Sequence, residues 1–420
     1  MRNFLFYLLC AFIPFENTAL AMLGGVFTAP LGIVLMPFII MSIVMNTKLI
    51  SALDIKILKS FFIFSLYSLS VLVIFYDDYD MIFLFDRGIR FMLLIIPHIA
   101  IFIYSTRQTN DTLIKGVFIM FCIILLSFIL NLTIPNVVNN TSIVQHTSAF
   151  SPDRLRGFTL EASTFGFQFV LVILMMLSIK KNISIIKDVP TILIYGLIVI
   201  CCIAITSRGT LICFLLTAFL TYVVLSKSSF VIKAIGGSIL AVIAYVIFDA
   251  FLLNSFISDI EKYNSIATRS SVLLTSVISL LTNPFGYGFF GFLPAMYENG
   301  LVAIDVMDAA FPSLFNFNEF ALYLRKGETL GVSTKSFFFD WLIFAGLPFL
   351  WLYLKSLRYF TKQFIKEHSE ADFSVFVFLI VCTMFFIPIE VRYIASFCLA
   401  FLYCKTKSGY KDEKNQKGII

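Results

Sequence analysis

One short segment combines the residue types that could bind and process a phosphorylated ligand, Arg154-Leu155-Arg156-Gly157 followed by Glu161. A guanidinium group is permanently charged and grips phosphate oxygens through two parallel hydrogen bonds. Gly157 frees the backbone, and a helix beginning near Thr159 would add the partial positive charge of its N-terminal amides. Glu161 is then placed to act as a general base. The alternative interpretation is that the arginines face lipid headgroups and that Glu161 caps the helix.

Two further segments repeat the combination of arginine with glycine. Arg208 lies in Thr206-Ser207-Arg208-Gly209, a very short connection between two apolar runs, where a guanidinium needs a partner or a ligand. Snorkelling of Arg208 to the membrane interface is the alternative. Arg269 precedes an apolar stretch that ends in a turn with Gly286 and Gly288, and glycine permits close approach of a ligand to the backbone. We therefore predict that these arginines bind phosphate.

Charged residues within or beside apolar runs are the remaining candidates. Asp340 lies about one turn inside a span, and an intramembrane carboxylate is a functional candidate. A structural ion pair between Lys335 and Asp340 is the alternative. Glu390 and Arg392 flank the last short connection, and we expect them to pair with one another.

These residues must be positioned by membrane-spanning helices. The chain has 420 residues, of which 60% are hydrophobic and 13% charged, and its mean hydropathy of +0.95 excludes a soluble fold. All eight cysteines lie in apolar segments, which predicts neither disulfides nor a zinc site. The fold class is an all-α polytopic membrane protein. About twelve spans are predicted, roughly at 3–21, 25–46, 60–76, 91–105, 114–134, 160–179, 190–206, 209–226, 232–253, 336–354, 373–389 and 391–404.

The charge distribution predicts the orientation of these spans. Lysines fill the connections that we assign to the cytoplasm, together with both chain termini, as the positive-inside rule requires. The net charge of +6 needs no nucleic-acid partner, because lysines near anionic lipid headgroups account for it. Eight arginines fall in or beside the connections assigned to the opposite side: Arg87, Arg90, Arg154, Arg156, Arg208, Arg269, Arg325 and Arg392.

Two connections on the outer side are long enough to be functional. The longer one contains Ser270–Leu281, a predicted helix, and Leu301–Leu324, a predicted helix at the membrane surface or a lid. An ordinary packed subdomain is the alternative. The predicted organisation is residues 1–253 with nine helices and a short outer loop at 135–159, a large outer loop at 254–335, three helices at 336–404, and a cytoplasmic tail at 405–420.

The arginine segments, in this order, resemble the bacterial O-antigen polymerase and ligase superfamily of membrane proteins. The resemblance covers roughly residues 150–350, and the first five spans match only in being hydrophobic. It rests on Arg154-x-Arg156-Gly157-(x)3-Glu161-x-Ser163, on Ser207-Arg208-Gly209, on Arg269 with Asn283-Pro-Phe-Gly-Tyr-Gly288, and on Lys335-Ser336 before a span containing Gly346.

The resemblance implies a GT-C-like glycosyltransferase of the bacterial inner membrane with a large periplasmic loop. It would move a growing glycan from undecaprenyl pyrophosphate to a sugar hydroxyl of the next lipid-linked oligosaccharide unit. The arginines would neutralise the departing pyrophosphate, so that no metal or other cofactor is expected. Our order of candidates for the base is Glu161, Asp340 and His146. Membrane lipids, a chain-length regulator and a flippase are the expected partners.

Within this superfamily, ligases carry a histidine in or just after the long loop. The three histidines of this chain are His98, His146 and His368, and Lys335 stands at the position of the ligase histidine. This difference favours a polymerase, while an O-antigen ligase stays open. A lipid-linked oligosaccharide flippase also stays open, although it should place basic residues within its bundle and show two similar halves. A binding scaffold would not need charges at a low-dielectric boundary.

Overall fold

The computed structural model of the protein is helical, and no strand occurs among the residues that it describes. These are residues 2–15, 30–46, 50–75, 78–134, 154–159, 161–183, 187–226, 229, 231–233, 236–238, 242, 246, 265–312, 314–327, 334–367, 369–385, 387–388 and 392–417. The main helices are α1 (Arg2–Phe12), α2 (Pro30–Met45), α3 (Ala52–Ile74), α4 (Met81–Thr106), α5 (Asn110–Thr133), α6 (Ala162–Ser178), α7 (Thr191–Ile205), α8 (Arg208–Leu225), α9 (Ser265–Thr282), α10 (Phe292–Ala310), α11 (Asn318–Tyr323), α12 (Phe337–Glu367), α13 (Glu370–Phe385) and α14 (Tyr393–Lys417).

Among the described residues, five helices are long and apolar enough to cross a membrane, namely α3, α4, α5, α8 and α12. Shorter apolar helices include α6 and α7. With 17 residues, α6 rises about 25 Å, close to the ~30 Å of a bilayer core. The helices are therefore consistent with the predicted membrane protein. The count of about twelve spans stays a prediction, because the ninth span at 232–253 lies mostly outside the described residues.

Several helices are longer than hydropathy predicted. α4 begins at Met81 rather than near residue 91, and Asp80 caps it by accepting a backbone hydrogen bond. Arg87 and Arg90, which we predicted in a loop, therefore lie inside this helix. Both contact Asp86, at 3.8 and 2.9 Å, and this pairing lets a helix carry the charges. α14 continues to Lys417, through most of the segment predicted as a tail.

Helix α6 lies at the centre of the larger of two packed groups of helices. Fifteen of its 17 residues are buried, and it packs on α5, α7, α8 and α13. A helix that is apolar on all sides is a core helix. Residues of α1, α2 and α14 also belong to this group, together with the C-terminal halves of α4 and α12.

The smaller group consists of α3, α9, α10 and the first halves of α4 and α12. Its centre is aromatic, since the Phe344 ring packs against Phe289 and Phe292 with ring centroids 5.2 and 4.7 Å apart. α9 and α10 form a helical hairpin. The predicted surface helix from Leu301 to Leu324 is wrong as a single element, because α10 ends at Ala310 and α11 begins only at Asn318.

The turn of this hairpin pairs with a break inside α12. Gly346 has φ 49° and ψ −134°, outside the helical region. The Tyr287 amide donates to the Ile343 carbonyl at 2.7 Å, and the Gly288 amide donates to the Phe344 carbonyl at 2.8 Å. A third hydrogen bond runs from the Leu347 amide to the Pro284 carbonyl, also at 2.7 Å. We call this contact of residues 283–288 with residues 343–347 the α12 joint. It satisfies backbone groups that a broken span exposes.

The joint explains the glycines of the turn. Gly286 has φ +84° and lies against the backbone of Phe344, while Gly288 has φ +62° and lies against Ser68 of α3. Their predicted role was close approach to a ligand. In the structure they permit close approach of the chain to itself, because a side chain at either position would collide with α12 or α3.

Candidate functional site

A hydrogen-bonded clamp joins the first arginine segment to the second. α7 ends at Ile205 and is capped by Thr206, which has the left-handed backbone conformation with φ 57°. The Arg154 guanidinium donates to the Thr206 hydroxyl from Nε at 3.0 Å and to the Thr206 carbonyl from Nη2 at 2.7 Å. Two segments whose bonded residues are 52 positions apart in the sequence are thus brought together.

The loop before α6 is held by the last turn of α5. Asn131 Oδ1 accepts the backbone N–H groups of Arg156 at 2.8 Å and Gly157 at 3.0 Å. Gly157 has φ +54° and lies against the Phe165 ring, where a side chain would not fit. Arg156 is only 2% exposed. Burial lowers the pKa of the Arg156 guanidinium, and the charge of Glu161 acts in the opposite direction, so these two groups are close to one another.

Glu161 occupies the N-cap position of α6. The helix begins at Ala162 rather than near Thr159, and the Glu161 side chain makes no capping hydrogen bond. The carboxylate instead accepts from the Ser163 hydroxyl at 3.1 Å and is exposed. An exposed carboxylate beside a buried arginine can reach a hydroxyl that arrives from solvent.

Arg392 is a member of this site that sequence reasoning missed. It is 6% exposed, and its Nη2 donates to the Thr164 hydroxyl in the first turn of α6 at 2.8 Å. Its predicted partner, Glu390, lies outside the described residues. The sequence did contain one indication that Arg392 belongs to the site, because Arg392 is among the arginines that we assign to the outer side.

Arg208 is the first residue of α8 and is half-buried. The start of this helix packs on α6, because the Cα of Gly166 faces Ser207 and Thr210 so closely that a side chain would collide with both. The N-termini of α6 and α8 are therefore neighbours, and each adds partial positive charge. We call the following set the arginine site: Arg154, Arg156, Arg208 and Arg392, with Glu161.

Other predicted site residues lie elsewhere. Arg269 is exposed on α9, which packs mainly on α10, α11 and α12. Asp340 is 4% exposed and accepts the Thr334 amide at 2.7 Å, so it shapes the turn before α12. His98 is buried and hydrogen-bonded to Ser396 at 2.7 Å, in agreement with a structural role. His146 lies outside the described residues.

The turn before α12 lies at the same end of the molecule as the arginine site. The Ser336 hydroxyl donates to the Met384 carbonyl at 2.7 Å, and the Phe337 amide donates to the Ile387 carbonyl at 3.0 Å. Ile387 is five residues before Arg392. The turn before α12 is therefore bonded to described residues that lie only a few positions before Arg392 in the chain.

The apolar helices and the arginine site define a helical protein of the membrane class. The chain is similar to an uncharacterized 49.5 kDa protein in the cps region of Klebsiella pneumoniae. The two are 34% identical over 418 residues, which are 99% of this chain and 94% of the relative, so the chain belongs to the same family. No protein-family model matches the sequence. No solved structure matches it either.

Proposed function

We propose that the protein polymerises lipid-linked oligosaccharide repeat units at the periplasmic face of the bacterial inner membrane. The location of the relative in a cps region, a capsule-polysaccharide region, supports involvement in polysaccharide biosynthesis. The observation that carries the more specific proposal is the arginine site, in which four arginines lie at or near the N-termini of α6 and α8, and the Glu161 carboxylate at the start of α6 is exposed.

The charge of the site suits a pyrophosphate leaving group. Four guanidinium groups and one carboxylate leave a net positive charge, which attracts the pyrophosphate of an undecaprenyl-linked donor. When the glycosidic bond to pyrophosphate breaks, the leaving group gains a further negative charge. Thr206 and Thr164 hold the guanidinium groups of Arg154 and Arg392, and Asn131 holds the backbone of Arg156. Arginines that are held in advance stabilise the new charge with little reorganisation, so they favour the transition state over the bound donor.

The proposed reaction needs one base. The acceptor sugar hydroxyl gives its proton to the Glu161 carboxylate while its oxygen forms a bond to the anomeric carbon of the donor glycan. The bond from that carbon to the pyrophosphate oxygen breaks, and its electron pair leaves with undecaprenyl pyrophosphate.

Deletion of the gene tests the class of activity. We expect a gel of surface glycan from the deletion strain to retain a lipid carrying a single repeat unit and to lose the ladder of longer chains. Complementation should restore the ladder. Loss of every glycan-bearing band would instead favour a flippase or a ligase, and the chain length of the periplasmic lipid-linked glycan would separate those two.

Point variants test the arginine site. Removal of one preorganised charge donor costs about 10²–10³-fold in rate, so Arg156→Ala and Arg392→Ala should each abolish the ladder. Glu161→Gln should slow polymerisation by about 10²–10⁴-fold because it removes the base. Arg358→Ala is the matched control, since Arg358 is exposed on the second half of α12. Normal-length polymer from Arg156→Ala at matched expression would contradict the proposal.

Substitution of Arg269 tests whether the substrate also contacts the smaller group of helices. The sequence assigns Arg269 a phosphate-binding role, which predicts that Arg269→Ala also abolishes polymerisation. Because Arg269 is exposed on α9, a loss of polymer in this variant would mean that substrate also contacts the α9–α10 hairpin. Unchanged polymer would restrict the pyrophosphate role to the arginine site.

A further inference from the structure

A second polar cluster lies on the smaller group of helices, away from the arginine site. The Tyr79 hydroxyl donates to Glu298 Oε1 at 3.0 Å, and Lys326 Nζ lies 4.6 Å from the centroid of the Tyr79 ring. Glu298 is exposed although its neighbours in α10, Tyr297 and Asn299, are buried. The three side chains thus form a unit of ring, carboxylate and amine that is open to solvent.

The same three residue types meet again close by. The Tyr323 hydroxyl donates to Glu319 Oε1 at 2.8 Å. Lys335 Nζ lies 3.8 Å from the same oxygen and 5.9 Å from the centroid of the Tyr323 ring. Tyr323 and Lys326 are three residues apart, so the two units are adjacent. We call their six residues the tyrosine patch: Tyr79, Glu298, Lys326, Tyr323, Glu319 and Lys335.

One member of the patch is held in an unfavourable backbone conformation. Lys335 has φ 56°, and among the described residues it shares a positive φ only with Thr206 and with glycines. Such residues persist where the surroundings fix them, and they cluster at functional sites. Buried Asp340 supplies this restraint, because it binds the Thr334 amide next to Lys335. Asp340 is therefore a positioning residue for the patch.

The chemistry of the patch differs from that of the arginine site. Its two glutamates balance its two lysines, so it offers little net charge to a phosphate. Burial and the bond to Glu319 raise the pKa of Tyr323 to about 12, and burial and Glu298 raise the pKa of Tyr79 as well. Both phenols therefore stay protonated. Aromatic faces, neutral hydroxyls and carboxylate acceptors together match the C–H faces and hydroxyl groups of sugars.

We propose that the tyrosine patch binds sugar residues of the lipid-linked glycan, while the arginine site holds its pyrophosphate. This inference rests on the proposed function, because it assigns the two ends of one substrate to two sites. The turn that carries Lys335 is bonded to the end of α13, from which the chain leads to Arg392. A glycan that begins at the arginine site can therefore extend toward the patch on the same end of the molecule.

Binding of a lipid-free sugar tests the patch directly. The probe is the reducing oligosaccharide of one repeat unit, released by mild acid from the lipid-linked pool of the deletion strain. Saturation-transfer NMR and calorimetric titration measure its binding to the full-length protein in nanodiscs. In the double variant Tyr79→Phe, Tyr323→Phe both rings remain and both hydroxyls are lost, and we expect at least tenfold weaker binding. Tyr359→Phe is the matched control, because Tyr359 is 43% exposed on the second half of α12.

A second variant keeps the test valid if the double variant folds poorly. Glu298→Gln with Glu319→Gln retains the tyrosines and should also weaken binding tenfold, with an unchanged melting temperature. Wild-type affinity in the folded variants, or no binding of the oligosaccharide to the parent protein at millimolar concentration, would overturn the inference.

The test of sugar binding and the test of polymerisation can give different results. Arg156→Ala should bind the lipid-free oligosaccharide normally and still fail to polymerise. If the deletion strain kept its ladder while the tyrosine variants lost sugar binding, the polymerase would be refuted and the sugar site would stand. If the ladder were lost but the variants bound normally, only the sugar site would be refuted.

Discussion

Replacement of Gly286 by alanine should break the α12 joint. Gly286 has φ +84°, and an alanine with this backbone conformation lowers the free energy of unfolding by about 1 kcal/mol. The new Cβ would lie 2.5 Å from the Phe344 carbonyl oxygen and 2.6 Å from the Ala345 nitrogen. Because these are backbone atoms, the turn must move, and the three hydrogen bonds of the joint weaken. At about 1 kcal/mol each, their loss brings the total cost to about 4 kcal/mol.

Alanine substitutions at two other glycines distinguish the cost of the steric collision from the cost of the backbone strain. Gly327 has φ +85°, and a Cβ there meets no atom of the described residues within 4 Å, so Gly327→Ala should cost only the strain, about 1 kcal/mol. Gly196 also has open space and lies within α7, where alanine should stabilise by up to about 1 kcal/mol.

Thermal unfolding of the purified variants, detected by fluorescence size-exclusion chromatography after heating, measures these differences. At roughly 2 °C per kcal/mol, Gly286→Ala should melt about 6 °C below Gly327→Ala. Gly196→Ala should melt at or above the temperature of the parent protein. Equal melting temperatures for Gly286→Ala and Gly327→Ala would refute the reasoning, because the joint would then contribute nothing beyond local strain.

Substitutions at three other positions test the supports of the fold and of the arginine site. Asn131→Leu leaves two buried amides of the loop before α6 without their acceptor and should cost about 2–4 kcal/mol in chemical unfolding, whereas Asn131→Asp should keep most of the stability. Asp54→Asn weakens the buried ion pair with Arg107, which spans 3.3 Å, and should lower stability by about 3 kcal/mol; an unchanged melting temperature would contradict this. Thr206→Gly relieves the left-handed strain but removes a hydroxyl that Arg154 binds, so it should melt no lower than the parent and make less polymer.

Hydropathy was most accurate where a helix ends at a strong local signal. The seventh and eighth spans were predicted at 190–206 and 209–226, and the helices run over Thr191–Ile205 and Arg208–Leu225. Pro190 and the short turn at Thr206 fix these ends. Prediction failed for the start of α4, because a hydropathy average counts Asp86 and Arg90 as polar and ignores their pairing within the helix.

The arginine site could be predicted only in part. The residue types indicated that Arg154 and Arg208 belong together, and the structure joins their segments through Thr206. The contact of Arg392 with Thr164 links residues 228 positions apart, so no local pattern reports it. The α12 joint depends in the same way on packing between distant segments. Asp340 was named as a candidate base, and only the geometry of the Thr334 amide assigns it a positioning role.

The α12 joint also imposes an order on biogenesis. The hairpin turn leaves the ribosome 56 residues before its partner, since Tyr287 and Gly288 donate hydrogen bonds to the carbonyls of Ile343 and Phe344. During that interval two amides and one carbonyl of the turn lack the groups that satisfy them, which disfavours their entry into hydrocarbon. We therefore expect the hairpin to enter the hydrocarbon region only after the broken helix has emerged from the ribosome. The helix α12, which is made late in translation, then stabilises the α9–α10 hairpin, which is made earlier. The smaller group of helices can pack completely only after α12 has been made.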